Sequence, residues 1–404
     1  MTTTTSPAPA PAATLGARLD DATRHLPAPL AVVDLDALDA NAADLVRRAA
    51  GTPVRVASKS VRVRHVLQDV LSRPGFAGVM AYSLREALWL VENGVDDVLV
   101  GYPTVDADAL DRLAASPRAA AAVTLMVDDV AQVDLASRAA QAHGSTLQVC
   151  LDIDASLRVT LGPLRAHLGV RRSPVHTPEE AGSLAAAIAR RDGVHVRGLM
   201  FYEAQVAGMP DASPAVRLVK RLSIGDLAVR RARVLDAVQD ALGYPLTLVN
   251  SGGSGSVQSS AADPVVTEVT AGSGLFVSTL FDQYRSFEPR PAAFFGLDVV
   301  RVPAAGFATA FGGGYVASGP PTASRQPRPV WPRGLSLTPR EGAGEVQTPL
   351  RLSGAADLRV GDRVWFRHAK AGEVMERFDQ VHLVRGAGVV ESVPTYRGEA
   401  RNFG

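Results

Sequence analysis

The chain has one cysteine, Cys150, in 404 residues. That excludes an intramolecular disulfide and any zinc site built from several thiolates. Cys150 lies in the apolar run "LQVCLDID" and reads as core packing rather than as a nucleophile. An excess of one charge is also missing, since 42 lysines and arginines face 41 aspartates and glutamates. Such a balance points to neither a nucleic-acid nor a membrane-surface partner. No apolar run approaches the ~20 residues needed to span a bilayer. The opening "MTTTTSPAPAPAATL" lacks the basic and apolar stretches of a signal peptide. The expectation is a disordered tail and lead-in over residues 1–27 on a cytoplasmic protein.

What is present is a regular alternation. At 47% hydrophobic and 21% charged, the chain suits a globular protein of about two domains. From residue 54, short apolar runs alternate with longer Ala/Leu/Arg-rich stretches of helical period. The runs are "VRVAS", "GVMAYS", "DVLVGY", "AVTLMV", "LQVCLDID", "VRGLMFY", "LTLVN" and "VTEVTAG". The stretches between them carry helix start and stop signals, such as Ser83 with Glu86 three residues on, and Thr177-Pro178 followed by two glutamates. Eight buried-type strands alternating with helices fit a (β/α)8 barrel over residues 28–285, with "LAVVDL" as a ninth strand outside it. A doubly wound open sheet is the alternative. Beyond residue 286 Pro and Gly become dense and strand-like runs short, as in "TPLRLS", "RVWFRH" and "QVHLV". Residues 286–404 read as a smaller β-rich C-terminal domain.

In such barrels, chemistry collects at the C-terminal ends of the strands, and phosphate often binds after the seventh and eighth. Lys59 directly follows the first run. The seventh run is followed by "SGGSGS", Ser251 to Ser256, and the eighth by "AGSG", which contains Gly272 and Ser273. Glycines let backbone N–H groups approach an anion. A lysine forms imines with carbonyls once burial or nearby cations lower its pKa, and Arg62 and Arg64 are close in sequence. A lysine and a phosphate cradle on one rim suggest pyridoxal phosphate. Asp152, Asp154, Arg158, Tyr202 and Glu203 also fall at strand ends, where each is equally readable as an ion pair or a packed side chain.

The stretches "LAVVDLDALDANAADLVRRA", "VRVASKS", "LDIDASLRVTLG", "GLMFYEAQVAG", "VNSGGSGS" and "TEVTAGSGLF" resemble the fold-type III pyridoxal enzymes. The D-threonine aldolase and D-serine dehydratase group is the nearest branch, and alanine racemases are more distant. The resemblance implies Lys59 as the Schiff-base lysine, Arg158 near the cofactor's phenolic oxygen and Tyr202 beside its ring. It implies Ser251, Gly252, Gly253, Ser254, Gly255 and Ser256, with Gly272 and Ser273, as the phosphate loops. It also implies a homodimer. Metal-dependent members carry a His-x-Cys or His-x-Asp pair where this chain reads His368-Ala369-Lys370. A protonated lysine cannot ligate a cation, so no metal is expected, and the ammonium would supply the positive charge. Glu373, Glu376 and Asp379 are nearby candidates to rebuild a metal site. Gly274 stands where relatives have a tyrosine.

The expected activity is a lyase cleaving D-configured β-hydroxy-α-amino acids, with His368 as the base because imidazole titrates near neutrality, and Lys370 as electrostatic support. The alternative is a dehydratase giving a 2-oxo acid and ammonia. An amino-acid racemase using Tyr315, a non-catalytic cofactor carrier and a cofactor-free sugar aldolase are rivals.

Overall fold

The computed structural model describes residues 15–161, 164–285, 287–320, 322–354 and 356–404. The strands are, in chain order, β1 (Leu30–Asp34), β2 (Val54–Ala57), β3 (Phe76–Ala81), β4 (Val98–Val100), β5 (Val123–Val127), β6 (Leu147–Ile153), β7 (Leu157–Leu161), β8 (Leu164–Leu168), β9 (Val194–Phe201), β10 (Leu248–Ser251) and β11 (Glu268–Ala271). They continue with β12 (Ala293–Ala304), β13 (Phe307–Phe311), β14 (Arg328–Trp331), β15 (Leu335–Leu337), β16 (Gln347–Leu352), β17 (Arg363–Arg367), β18 (Gln380–Arg385) and β19 (Gly388–Pro394).

Strands β2 to β6 and β9 to β11 close a parallel barrel, and every one of the eight expected runs is in it. The inserted β7 and β8 form an antiparallel pair outside it. The barrel closes because its strands are apolar on both faces, as β5 and β6 show by burying nearly every residue. Leu99, Met126, Cys150, Met200 and Leu248 form a buried cluster, with Met80 and Tyr202 packed on it. Cys150 is free and buried, and burial pushes its thiol well up, as expected of a packing residue. The expected caps form: Ser83 accepts from the Glu86 N–H, and Thr177 and Glu180 make a reciprocal capping box.

Near the N-terminal ends of the strands lies an ionic network. Arg55 on β2 donates to Glu268 at 2.6 Å and to Asp97 at 2.6 Å. Arg197 on β9 donates to Asp97 and to Thr124, both at 2.9 Å. Asn250 donates to Glu268 and Thr270, both at 2.7 Å. Gly78 makes room for it: at φ +71° a Cβ there would fall 2.3 Å from Arg55 Nη1.

The second unit is a sheet ordered β15-β16-β13-β12-β1-β18-β19, with β17 joining β12 and β14. β1 is outside the barrel, as expected, and pairs antiparallel with β12 and parallel with β18. Residues 1–14 of the expected tail lie outside the described residues, but Leu15–Thr23 is helical rather than disordered. Its Leu19 and Ala22 pack with Leu30, Val32, Phe294, Trp365 and Val384. Burial of those two side chains outweighs a mediocre local signal.

The chain divides differently from the expected boundaries at 27/28 and 285/286. One unit comprises residues 1–36, 293–368 and 380–393; the other comprises 37–292, 369–379 and 394–404. The segments 369–379 and 394–404 return to the barrel unit through long-range pairs that composition does not register. These are Arg62 to Glu376 at 2.9 Å, Arg64 to Glu399, and the Tyr396 hydroxyl to Glu86 at 2.8 Å. No helix among the described residues is long and apolar enough to cross a membrane.

Candidate active site

Lys59 sits in a single 3-10 turn, Ser58–Ser60, at the C-terminal end of β2. Ser58 is buried and ties the turn to the neighbouring strand, its hydroxyl donating to the Met80 carbonyl at 3.0 Å. The turn is packed from two other sides. A Cβ on Gly272, after β11, would fall 2.5 Å from the Ala57 carbonyl oxygen, and one on Gly372 (φ +95°) 1.9 Å from the Lys59 carbonyl oxygen. The backbone carrying the lysine is therefore fixed while the side chain stays exposed.

The Lys59 ammonium donates to the hydroxyl of Tyr102, two residues beyond β4, and lies 5.0 Å from that ring's centroid. The Arg172 guanidinium lies 5.8 Å from the Tyr102 ring and 5.5 Å from the Tyr202 ring. Burial alone would raise the Tyr102 phenol. The charge and hydrogen bond of Lys59, with the charges of Arg172 and Lys370, outweigh it and hold the phenol below its ordinary value. Tyr202, by contrast, is pushed up by burial. Asp152 shares the pocket with Tyr102, Arg172 and Tyr202, and burial and the Asp128 charge push it up to about 7.

The loop after β10 is built around Glu203. This carboxylate accepts from the Ser251 hydroxyl at 2.9 Å, the Gly252 N–H at 3.2 Å, the Ser256 hydroxyl at 2.9 Å and the Ser260 hydroxyl. Arg231 holds Ser251 at 2.6 Å and Asp263 at 2.9 Å. The Gly253 N–H donates to Ser256 Oγ at 3.1 Å. Ser254 Oγ accepts from the N–H groups of Gly272 at 3.3 Å and Gly274 at 2.8 Å. The two loops are thus cross-tied. Three of the expected phosphate donors, Gly252, Gly253 and Gly272, are already engaged. Among the described residues the N–H groups of Ser254, Gly255 and Ser273 meet no protein acceptor. Three such N–H groups are fewer anion donors than the sequence leads one to expect.

Other expected assignments fare differently. Arg158 is 41% exposed and bound to Asp154 at 2.7 Å, whereas Arg172, for which the sequence offers no such motif, lies within reach of both tyrosine rings. Its signal was obscured by the β7–β8 insertion, which separates it from the "LDID" run. Arg62 and Arg64, expected as bare cations near Lys59, are neutralised by Glu376 and Glu399; Arg172 and Lys370 supply the charge felt at Tyr102. His368 is buried, and desolvation with the Arg367 charge pushes it down to about 3. The reason for choosing it as base, titration near neutrality, does not hold there. Tyr315 packs edge-on against Phe295.

For a metal, the donors fit poorly. Glu376 is paired with Arg62 and Asp379 with Arg397 at 2.9 Å, and among the described residues no three His, Cys, Asp or Glu side chains converge. Pyridoxal phosphate fits better. Lys59, a stacked arginine and two tyrosines share the strand-end rim with three N–H groups that lack an acceptor.

Residues 33–279 match the alanine racemase N-terminal domain. The chain belongs to that family. Membership implies pyridoxal phosphate as cofactor. The chain is 28% identical over 265 residues to the 3-hydroxy-D-aspartate aldolase of Paracoccus denitrificans (strain Pd 1222), covering 64% of this chain and 63% of that relative, so the match spans less than two thirds of the relative's length. Among solved structures, D-threonine aldolase from Filomicrobium marinum superposes with a TM-score of 0.78 at 23% identity, over 92% of this chain and 96% of that one. D-threo-3-hydroxyaspartate dehydratase from Delftia sp. HT23 gives 0.71 at 21%, over 92% and 97%. Both share the alanine racemase-like fold of a barrel and a separate sheet domain.

Proposed function

We propose that this member of the alanine racemase family is a pyridoxal-phosphate-dependent lyase. It cleaves D-configured β-hydroxy-α-amino acids into glycine, or a small amino acid, and an aldehyde. The observation that carries this reading is the meeting of Lys59, Tyr102 and Arg172 on the rim that also bears the Ser254, Gly255 and Ser273 N–H groups. The name of the Paracoccus relative favours a hydroxylated D-amino acid as substrate.

In this reading Lys59 binds the cofactor carbonyl, the three N–H groups bind its phosphate, and Tyr202 flanks the ring. Arg172 takes the place expected of Arg158. Pyridoxal phosphate supplies an electron sink for the pair released at Cα. The Lys59 amine holds and delivers the proton at Cα. Lys370 contributes a fixed positive charge near Tyr102, and no divalent cation is required. The enzyme works in the cytoplasm as a homodimer, and the exposed apolar side chains Val300, Val302, Phe307 and Phe311 of β12 and β13 favour a covered surface there.

The test is direct. The holoenzyme is incubated with D-threonine, D-serine, D-phenylserine and 3-hydroxy-D-aspartate, and aldehyde and 2-oxo acid are assayed separately. Aldehyde in stoichiometry with the amino-acid product is expected, and it survives exhaustive chelation. A 2-oxo acid with ammonia would replace the aldol reading with dehydration. Activity lost to chelator and restored by manganese or zinc would return His368 to the role of metal ligand.

A further inference from the structure

We propose that the Tyr102 phenolic oxygen takes the proton of the substrate's β-hydroxyl. The inference rests on the lyase reading and supplies the base which that reading lacks once His368 is set aside.

Four observations converge. Tyr102 lies at the C-terminal end of β4, on the rim that carries Lys59, and its hydroxyl contacts the Lys59 ammonium. Lys59, Arg172 and Lys370 all act on its phenol as positive charges. Among the described residues no carboxylate forms a hydrogen bond or ion pair with Lys59, which donates to the Tyr102 hydroxyl, and the Arg172 guanidinium lies 5.8 Å from the Tyr102 ring. Other tyrosines move the opposite way: burial pushes Tyr82, Tyr284, Tyr202 and Tyr396 all above the ordinary phenol value. Fixed cations favour the phenolate, which accepts a proton from an alcohol, and the same cations steady the negative charge on its oxygen.

The step balances without a further reactant. Tyr102 enters the step as phenolate, paired with the Lys59 ammonium; the β-O–H bond breaks toward its oxygen, and the O–H electron pair becomes the second carbon–oxygen bond of the aldehyde. The Cα–Cβ pair remains on Cα, where a proton from the Lys59 ammonium forms the new C–H bond. Tyr102 then returns its proton to the Lys59 amine through the contact between them. One cycle leaves both groups as they began.

Asp152 is the competing base, since it lines the same pocket at about 7. It lies only 8% exposed, and Asp128, Asp154 and Arg172 face it, so it has no comparable cluster of cations to stabilise a transferred charge.

The experiment compares wild type, Tyr102→Phe and Asp152→Asn as holoenzymes, with three readouts. These are aldehyde release from D-phenylserine, exchange of the α-hydrogen of D-alanine in deuterated water, and the visible absorbance of the bound cofactor. D-alanine has no β-hydroxyl, so its exchange reports proton transfer at Cα without the β-deprotonation step. The expected result for Tyr102→Phe is a fall in aldehyde release of about 10²–10⁴-fold, with exchange within about threefold and the absorbance kept. Fluorotyrosine at position 102, a more acidic phenol, shifts the acidic limb of kcat/KM to lower pH; this measurement stands if the phenylalanine variant folds poorly. Aldehyde release retained in Tyr102→Phe overturns the proposal. So does a parallel loss of exchange, which would make Tyr102 a support for Lys59, and so does the expected pattern appearing in Asp152→Asn instead. A wild type that releases no aldehyde from any D-β-hydroxy amino acid overturns the lyase reading itself, before any variant is made.

Discussion

The two ends of the barrel treat charge in opposite ways. At the N-terminal end, Arg55 and Arg197 share Asp97, Arg55 and Asn250 both donate to Glu268, and Arg197 also donates to Thr124. At the C-terminal rim, Lys59 and Arg172 meet tyrosine hydroxyl and ring faces rather than carboxylates. A cation bonded on all sides has nothing left for a ligand, whereas one resting on an aromatic face keeps its donors available. The glycine–serine loops repeat the contrast within one rim: Glu203 consumes some of their donors to fix their shape and leaves a few without a protein acceptor among the described residues. Under the proposed function, the difference separates residues that hold the barrel from residues that act.

Breaking the rim should abolish activity without disturbing the fold. Lys59→Ala is expected to lose all turnover and the visible absorbance of the bound cofactor. Its unfolding free energy should stay within about 0.5 kcal/mol of wild type, since the side chain is exposed. A borohydride-reducible cofactor adduct on this variant would transfer the role to another lysine. Breaking the other end should do the reverse. Arg55→Met leaves Glu268 without its main counter-ion, at an expected cost of about 3–5 kcal/mol, read by denaturant unfolding of the apoprotein. Per folded molecule, turnover should be little changed. Equal loss of stability in the two variants would erase the contrast.

A smaller effect tests the cross-tie between the loops. Ser254→Ala removes the acceptor of the Gly272 and Gly274 N–H groups, and orphaned buried donors cost about 1–3 kcal/mol. Cofactor affinity should fall with stability, because the loops would no longer hold one spacing. Gly253→Val is a poorer probe than the sequence suggests. Its Cβ would fall 2.7 Å from Ala207 Cβ, so it would displace the neighbouring helix whether or not cofactor is bound.

The sequence disclosed what is periodic and local. Eight strands, the capping of their helices and the position of Lys59 at a strand end were readable, because each is specified within a few residues of itself. What depended on distant partners was not. The run around β1 looks like any apolar strand, and its partners in β12 and β18 lie hundreds of residues away. Arg158 matched a motif, yet Arg172 reaches the tyrosines, since an inserted strand pair shifts spacing without changing composition. His368 seemed a base because free imidazole titrates near neutrality; only burial shows that this one does not. Tyr102 carried no signal beyond its strand-end position.

The smallest expected effect concerns pH, and it reaches the Lys59 turn from behind. Glu86 is fully buried and is pushed up to about 7 by desolvation. Hydrogen bonds from the Tyr82 N–H at 2.7 Å and the Tyr396 hydroxyl at 2.8 Å, with the Arg62 charge, offset that only in part. An unfolded chain releases this proton near 4.5, so between about 4.5 and 7 the folded protein holds a proton that the unfolded chain has lost. Stability contributed by Glu86 is therefore complete below about 4.5 and declines as pH rises through 7. Asp152, also raised to about 7, acts with the same sign. Asp154 has the opposite sign: burial would raise it, but hydrogen bonds from His176, Ser156 and Arg158 hold it far below the usual range. Its contribution is lost only as pH falls below about 3.8, outside the window. The melting temperature of the apoprotein should thus drop between pH 4.5 and 7.5 less steeply in Glu86→Gln than in wild type, with histidine contributions cancelling in the difference. Parallel curves would mean that Glu86 is ionised in the folded protein, with Arg62 rather than a proton balancing it.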